Sequence, residues 1–296
     1  MRIIIGGASG FIGKPLVKRL GESGHDVVRL VRREPNGPTE VGWRPNQGEL
    51  DPGVLDGADA VINLAGVGVG DQRWNDQFKK LLRSSRINAT STIAKAVAAA
   101  RVPPRVLINA SAVGYYGDTG DDEVEESAPP GSSFLARLCV SWEAATAPAQ
   151  DAGVRVVCLR SGVILGPGGG YLKPMMPLFR IGLGGRLGSG RQWIPWVSLV
   201  DELSAIEFLL RTEVAGAVNL TGVAPVRNAE FTRTLARVLG RPALLPVPAP
   251  VLRVAAGEFA NEAVASQRVL PGALRAAEFR YEHRDLETAL RWVVGK

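Results

Sequence analysis

Cysteine and histidine are scarce: the 296 residues include two of each, Cys139 and Cys158, His25 and His283. Two isolated thiols in apolar helix-like and strand-like contexts exclude a disulfide framework and fit a reducing compartment. The histidines stand in turn-like contexts without cysteine or carboxylate at ligand spacing, so no metal site is expected. No uninterrupted apolar stretch reaches the ~18 residues of a membrane span. Met-Arg-Ile-Ile-Ile runs directly into a glycine turn, which leaves no signal peptide and points to the cytoplasm. Blocks of like charge are also missing. The net charge of +6 is scattered along the chain, and no basic helix or aromatic RNA-binding pattern accompanies it, so a nucleic-acid partner is not expected. No Gly-x-Ser-x-Gly nucleophile elbow occurs. With 46% hydrophobic and 22% charged residues, the chain is a globular one with enough length for a large core.

The first thirteen residues are the most informative. An apolar run, Ile3 to Ile5, is followed by Gly7, Gly10 and Gly13, then by the helix-like Lys14 to Leu20. Gly7 can take backbone angles closed to other residues, Gly10 lets the main chain approach a pyrophosphate, and Gly13 lets a helix pack on the strand. The free N–H groups at the start of the helix then face the phosphates. The next strand ends Val28-Arg29-Leu30-Val31-Arg32-Arg33. An NAD site usually has Asp or Glu here for the ribose hydroxyls, whereas guanidinium groups suit a ribose phosphate. NADP(H) is therefore the expected cofactor, with Arg32 the expected contact.

Further strands are expected at Val27–Val31, Ala60–Leu64, Val106–Ala110 and Val154–Leu159, separated by helices over Asp76–Ala100 and Ser133–Ala152. Such alternation predicts an α/β, Rossmann-like parallel sheet with helices on both faces. From Gly166 to Val197 the chain is rich in glycine, proline and tryptophan and reads as an insertion. A helix over Leu199–Arg211 and a strand over Ala217–Leu220 read as a return to the sheet. The expected organisation is a cofactor domain over 1–165, joined by 199–222. A smaller substrate lobe takes 166–198 and 223–296 and includes a proline-rich link, Leu245–Pro250.

At the level of motifs the chain resembles an extended short-chain dehydrogenase/reductase. The resemblance is carried by the Gly7 to Gly13 turn, Asn63-Leu-Ala-Gly66 and Arg160-Ser-Gly-Val-Ile-Leu-Gly-Pro167. Arg73-Trp74, Ser85-Arg86, Ser111-Ala-Val-Gly-Tyr-Tyr116, Trp142-Glu143, Trp193-Ile-Pro-Trp196 and Asn219-Leu-Thr-Gly are similar to the bacterial SulA-type "epimerase family" of nucleoside-diphosphate-sugar epimerases. The resemblance implies that Gly7, Ser9, Gly10, Phe11, Ile12 and Gly13 hold the pyrophosphate and that Arg32 meets the 2′-phosphate. It further implies that Leu64, Ala65 and Gly66 line the path to the nicotinamide, that Asn88 orders the site, and that Ser161, Gly162 and Val163 border the nicotinamide.

The superfamily's Tyr-x-x-x-Lys pair is absent from the whole chain. Aligning the helix by Glu143 puts Leu135 and Cys139 at its two positions; neither can move the proton that accompanies hydride transfer. The usual serine position falls on Ala112, with Ser111 one residue earlier and therefore on the other face if the strand continues. Ser111, Tyr115 and Tyr116 are the candidate proton donors, with aromatic packing the alternative role for the tyrosines. Arg73, Trp74, Arg86, Gln192 and Trp193 combine charge and flat aromatic area suited to an anionic, ring-bearing small molecule such as a nucleotide sugar. For Trp196, core packing carries at least equal weight. Two functions follow: an NADP(H)-dependent oxidoreductase or epimerase with a non-standard acid, or a non-catalytic NADPH-binding regulator or partner-binding protein that lost it.

Overall fold

The computed structural model describes residues 1–244, 246–247 and 257–296. Its main sheet has seven strands: β1 (Arg2–Gly6), β2 (Asp26–Val31), β3 (Glu40–Gly42), β4 (Ala60–Asn63), β5 (Val106–Ala112), β6 (Arg155–Ser161) and β7 (Gly216–Leu220). All pairings are parallel. The spatial order is β7-β6-β5-β4-β1-β2-β3. Strand order reverses between β1 and β4, where doubly wound sheets open a crevice beyond their carboxyl ends.

Both faces of the sheet are apolar because alternate residues of each strand point to opposite sides. Ile3 and Ile5 join Leu16 and Leu20 of α1 (Gly13–Glu22) and Leu203 and Ile206 of α5 (Leu199–Leu209) on one face. Ile4 turns the other way, into a cluster with Ile93 and Val97 of α2 (Asp76–Ala99). Side-chain caps fix the helix starts. Asn75 Oδ1 accepts from the Phe78 N–H at 2.8 Å, and Ser198 Oγ from the Asp201 N–H at 3.0 Å.

The helix expected over Ser133–Ala152 is two helices, α3 (Phe134–Ala144) and α4 (Ala147–Asp151). Pro148 lies in the first turn of α4, where its missing N–H is tolerated; it could not have continued α3. The three-residue edge strand β3 has no counterpart among the sequence expectations, being too short to show a period. Beyond β6 the chain builds another apolar cluster, in which Phe179, Ile194 and Trp196 meet Phe231 and Leu235 of α6 (Asn228–Leu239) and Leu286 and Leu290 of α7 (Leu286–Val294). Of the proline-rich link at 245–250, only Pro246 and Val247 lie within the described residues. Among the described residues no helix is long and apolar enough to cross a membrane.

Candidate functional site

The glycine turn sits at the reversal point of the sheet. Gly7 has φ +81°, and a Cβ there would lie 2.5 Å from the Leu64 carbonyl carbon; a Cβ on Gly13 would lie 2.2 Å from the Gly7 carbonyl oxygen. The turn is thus pressed between the exit of β4 and the start of α1, a fit that only glycine allows. Ser9 and Gly10 are exposed, Phe11 and Ile12 half-buried. No side chain caps the N-terminus of α1; the Lys14 N–H is bonded to the Gly10 carbonyl at 3.0 Å and Pro15 has none, but the N–H groups of Ile12 and Gly13 have no partner among the described residues and remain available to an anion.

The β4 exit is held by a buried polar network. Asn63 Nδ2 donates to Asn109 Oδ1 at 2.7 Å and to Thr90 Oγ1 at 3.0 Å, while Asn63 Oδ1 accepts from the Ala65 N–H at 3.1 Å. Trp142 Nε1 donates to Thr90 Oγ1 at 2.9 Å. Buried polar groups satisfied in this way rigidify what they hold, here the main chain of Leu64 and Ala65 beside the glycine turn. Asn88 is not woven into this network. Its amide donates to Asn46 at 3.3 Å, whereas Thr90, two residues on along α2, bonds Asn63, Asn109 and Trp142.

At the end of β2, Glu40 separates the two arginines. Arg33 donates to both Glu40 oxygens at 2.7 and 2.8 Å, and Arg29 approaches the same carboxylate at 3.0 Å. The Arg33 hydrogen bonds, with the Asn36 N–H, hold the Glu40 carboxyl down at about 2. Arg32 is exposed and, among the described residues, makes no ion pair.

The three proton-donor candidates occupy different settings. Ser111 is 5% exposed and its hydroxyl donates to Glu143 Oε1 at 2.6 Å. Arg160 grips the same carboxylate with Nε and Nη2, both at 2.9 Å. Arg160 Nη1 donates to the Tyr116 hydroxyl at 2.9 Å, which donates onward to Asn219 Oδ1 at 2.7 Å. Burial pushes the Tyr116 phenol up despite the opposing guanidinium. Tyr115 is half-buried, its ring face 3.4 Å from the Arg160 guanidinium carbon, and among the described residues its hydroxyl has no partner in the chain. On α3, Leu135 lies against Gly114, and Cys139 is buried, its thiol pushed up to about 12 by burial and by Glu143. Arg160, Glu143 and Asn219 were invisible as a site. Only their presence in the Trp-Glu, Arg-Ser-Gly and Asn-Leu-Thr-Gly motifs signalled them.

The substrate candidates do not form one surface. Trp74 is 5% exposed, packs edge-on to Phe134 and donates its Nε1 to the Val69 carbonyl at 2.8 Å; it is a core plug because a large ring gains most from full burial. Arg73 beside it is exposed. Arg86 is buried against the Trp142 ring and donates to the Leu82 carbonyl; among the described residues it has no carboxylate partner, and burial lowers its affinity for the proton. Trp193 is sandwiched between Arg227 and Arg268 and donates to Asp121 at 3.2 Å. Gln192 donates to the Leu187 carbonyl at 3.0 Å. Gln192, Arg191, Arg227 and Asp121 line a cavity of about 490 Å³. Trp196 is fully buried and donates to the Ala224 carbonyl.

A doubly wound parallel sheet with a glycine turn at its reversal point defines the Rossmann-like, dinucleotide-binding class of fold. Within that class the chain belongs to the NAD dependent epimerase/dehydratase family, whose model matches residues 3–221; a domain of unknown function, DUF1731, matches residues 247–293. It is similar to the epimerase family protein Mb2239 of Mycobacterium bovis, at 49% identity over 99% of this chain and 98% of that one. The crystal structure of human epimerase family protein SDR39U1 with NADPH superimposes with a TM-score of 0.93 at 34% identity, covering 100% of both chains. MoeE5 in complex with UDP-glucose and NAD shares the fold, with a TM-score of 0.77 at 22% identity over 100% of this chain and 98% of that one.

Proposed function

We propose that this chain binds NADP(H) and acts on a small anionic substrate of the nucleotide-sugar class, by oxidation, reduction or epimerisation. One observation carries the cofactor reading: Arg32, the residue after β2, which pairs with β1 just before the glycine turn, is exposed and without an ion pair among the described residues, while its neighbour Arg33 is held by Glu40. A 2′-phosphate dianion suits such a guanidinium. The chain fits the rest of the group as well. Gly7, Ser9, Gly10, Phe11, Ile12 and Gly13 form the pyrophosphate cradle, Leu64 to Gly66 the adjoining wall, and Ser161 to Val163 the border at the nicotinamide. The human relative solved with NADPH supports the same reading.

When bound, the nicotinamide supplies hydride transfer. The protein's share is position and proton. Tyr115 is the acid we favour, because its hydroxyl has no partner in the chain among the described residues, whereas those of Ser111 and Tyr116 do. Gln192 and Arg191, with Trp193 nearby, belong to the substrate lobe over 166–198 and 223–296, which faces a cofactor domain over 1–165 and 199–222. A non-catalytic, NADPH-binding regulator is the second reading, favoured by Leu135 and Cys139 at the positions of the missing pair.

Titration of the purified protein with NADPH and NADH tests the cofactor. NADPH is expected to bind more tightly, and Arg32→Ala to weaken NADPH by ~10–100-fold, the worth of a hydrogen-bonded charge, while leaving NADH unchanged. Equal affinities in the wild type would overturn the specificity.

A further inference from the structure

Glu202 is fully buried on α5. One carboxyl oxygen accepts from Ser161 Oγ at 2.7 Å; the other, Oε2, is buried with no hydrogen-bond partner among the described residues. A carboxylate in this setting would be an uncompensated buried charge, which costs several kcal/mol, whereas a protonated carboxyl is tolerated. Burial accordingly pushes Glu202 up to about 8, opposed only by the Ser161 hydrogen bond.

The charged neighbours are all otherwise engaged. On α5 itself, Asp201 accepts from Ser198 Oγ and from the N–H groups of Glu282 and His283. From the C-terminal segment, the Tyr281 phenol, which feels both carboxyls, donates to the Thr221 carbonyl at 2.8 Å. His283 bonds Ser198, and Arg275 is paired with Glu125. Glu126 accepts from the N–H groups of Asn219 and Ala273. Ile12, just before α1, and Leu16 within it join the shared cluster, and Arg19 of α1 is paired with Glu207. No cation compensates Glu202 among the described residues.

Ser161 is the last residue of β6, half-buried at the carboxyl end of the sheet, and in the reading above it borders the nicotinamide. We propose that Glu202, linked to the cleft through Ser161, is a proton-release site that distinguishes the oxidised from the reduced cofactor by charge. The oxidised nicotinamide ring carries a positive charge that the reduced ring lacks. A cation near Ser161 supplies the compensation Glu202 otherwise has none of, so the carboxyl O–H breaks, the proton leaves to solvent, and the carboxylate keeps the Ser161 O–H as donor. No electron moves in this step. Glu202 is a positioning residue, since it acts through Ser161.

The proposal rests on the cofactor reading, and calorimetry separates the two. NADP⁺ and NADPH are titrated into the intact protein at pH 6 to 9 in buffers of different ionisation enthalpy, which reports protons released per ligand bound. Both ligands carry the same 2′-phosphate, which titrates near ~6, so its contribution cancels in the difference between them. NADP⁺ is expected to release ~0.5 proton or more beyond NADPH near neutral pH, and its affinity relative to NADPH to rise several-fold from pH 6 to 9. Glu202→Gln abolishes both effects. Ser161→Ala, which removes the bond that favours the carboxylate, moves the midpoint of release to higher pH. Equal proton release for the two ligands, or a difference that survives in Glu202→Gln, overturns the proposal. Failure of both ligands to bind overturns the cofactor reading instead.

Discussion

Glu143 and Glu202 lie under opposite faces of the same strand end, and the chain treats them differently. Arg160, on β6, turns toward α3 and meets Glu143 with two hydrogen bonds, to which Ser111 adds a third. Ser161, the next residue, turns the other way and gives Glu202 one hydroxyl only. The half-buried Glu143 has a guanidinium beside it; the fully buried Glu202 has a hydroxyl alone among the described residues, a setting that favours the protonated carboxyl. One residue of strand alternation thus separates a fixed ion pair, suited to holding Tyr115 and Tyr116 in place, from a group able to change charge.

Removing the cation from the first face should have the largest effect. Arg160→Met leaves the half-buried Glu143 without compensation and is expected to cost ~3 kcal/mol in denaturant unfolding, the low end for a buried pair, most of it recovered when Glu143→Leu is added. If the double variant is no better than the single, the ion pair is not what the site depends on. Tyr116→Phe should cost less, ~1–3 kcal/mol, by leaving Asn219 Oδ1 and an Arg160 N–H short of a partner, with NADPH affinity unchanged. Glu202→Gln should act in the opposite direction. The folded state holds this proton up to about 8, above the ordinary carboxyl range near ~4.3, so wild-type stability falls as pH rises through that window. The glutamine variant lacks the fall, and its melting temperature should exceed the wild type's at pH 8.5 by more than at pH 5. Equal differences at both pH values would mean that Glu202 is not protonated in the fold. Tyr115→Phe should change stability least, within ~0.5 kcal/mol. Once a turnover assay exists, it should lower the rate by ~10²–10⁴ if Tyr115 is the acid.

Much of the architecture was legible residue by residue. Gly7 and Gly13 announced a turn because each must accept another backbone at a distance no Cβ permits, and the alternation of Ile3, Ile4 and Ile5 fitted a strand covered on both faces. The break between α3 and α4 is also written in the sequence, in Pro148, inside a longer apolar period that by itself reads as one helix. Trp74 looked like binding surface because its neighbour Arg73 is charged, yet the ring turns inward to Phe134 while the guanidinium stays exposed. Asn88 and Thr90 lie two apart on α2 and so face different neighbours, and no local pattern tells which side the sheet-end asparagines occupy.

By itself the sequence determined where the glycine turn and most of the longer strands and helices form, since these depend on propensities and periods within a few residues, but not the short strand β3 or the break between α3 and α4. It also determined that none of the four tyrosines has a lysine four residues on. Only the tertiary structure decided that, among the described residues, Arg33 is engaged and Arg32 is not, that Arg160 compensates Glu143, and that Glu202 has no cation. Those outcomes depend on which side chains from distant segments converge, and on how little water reaches them there.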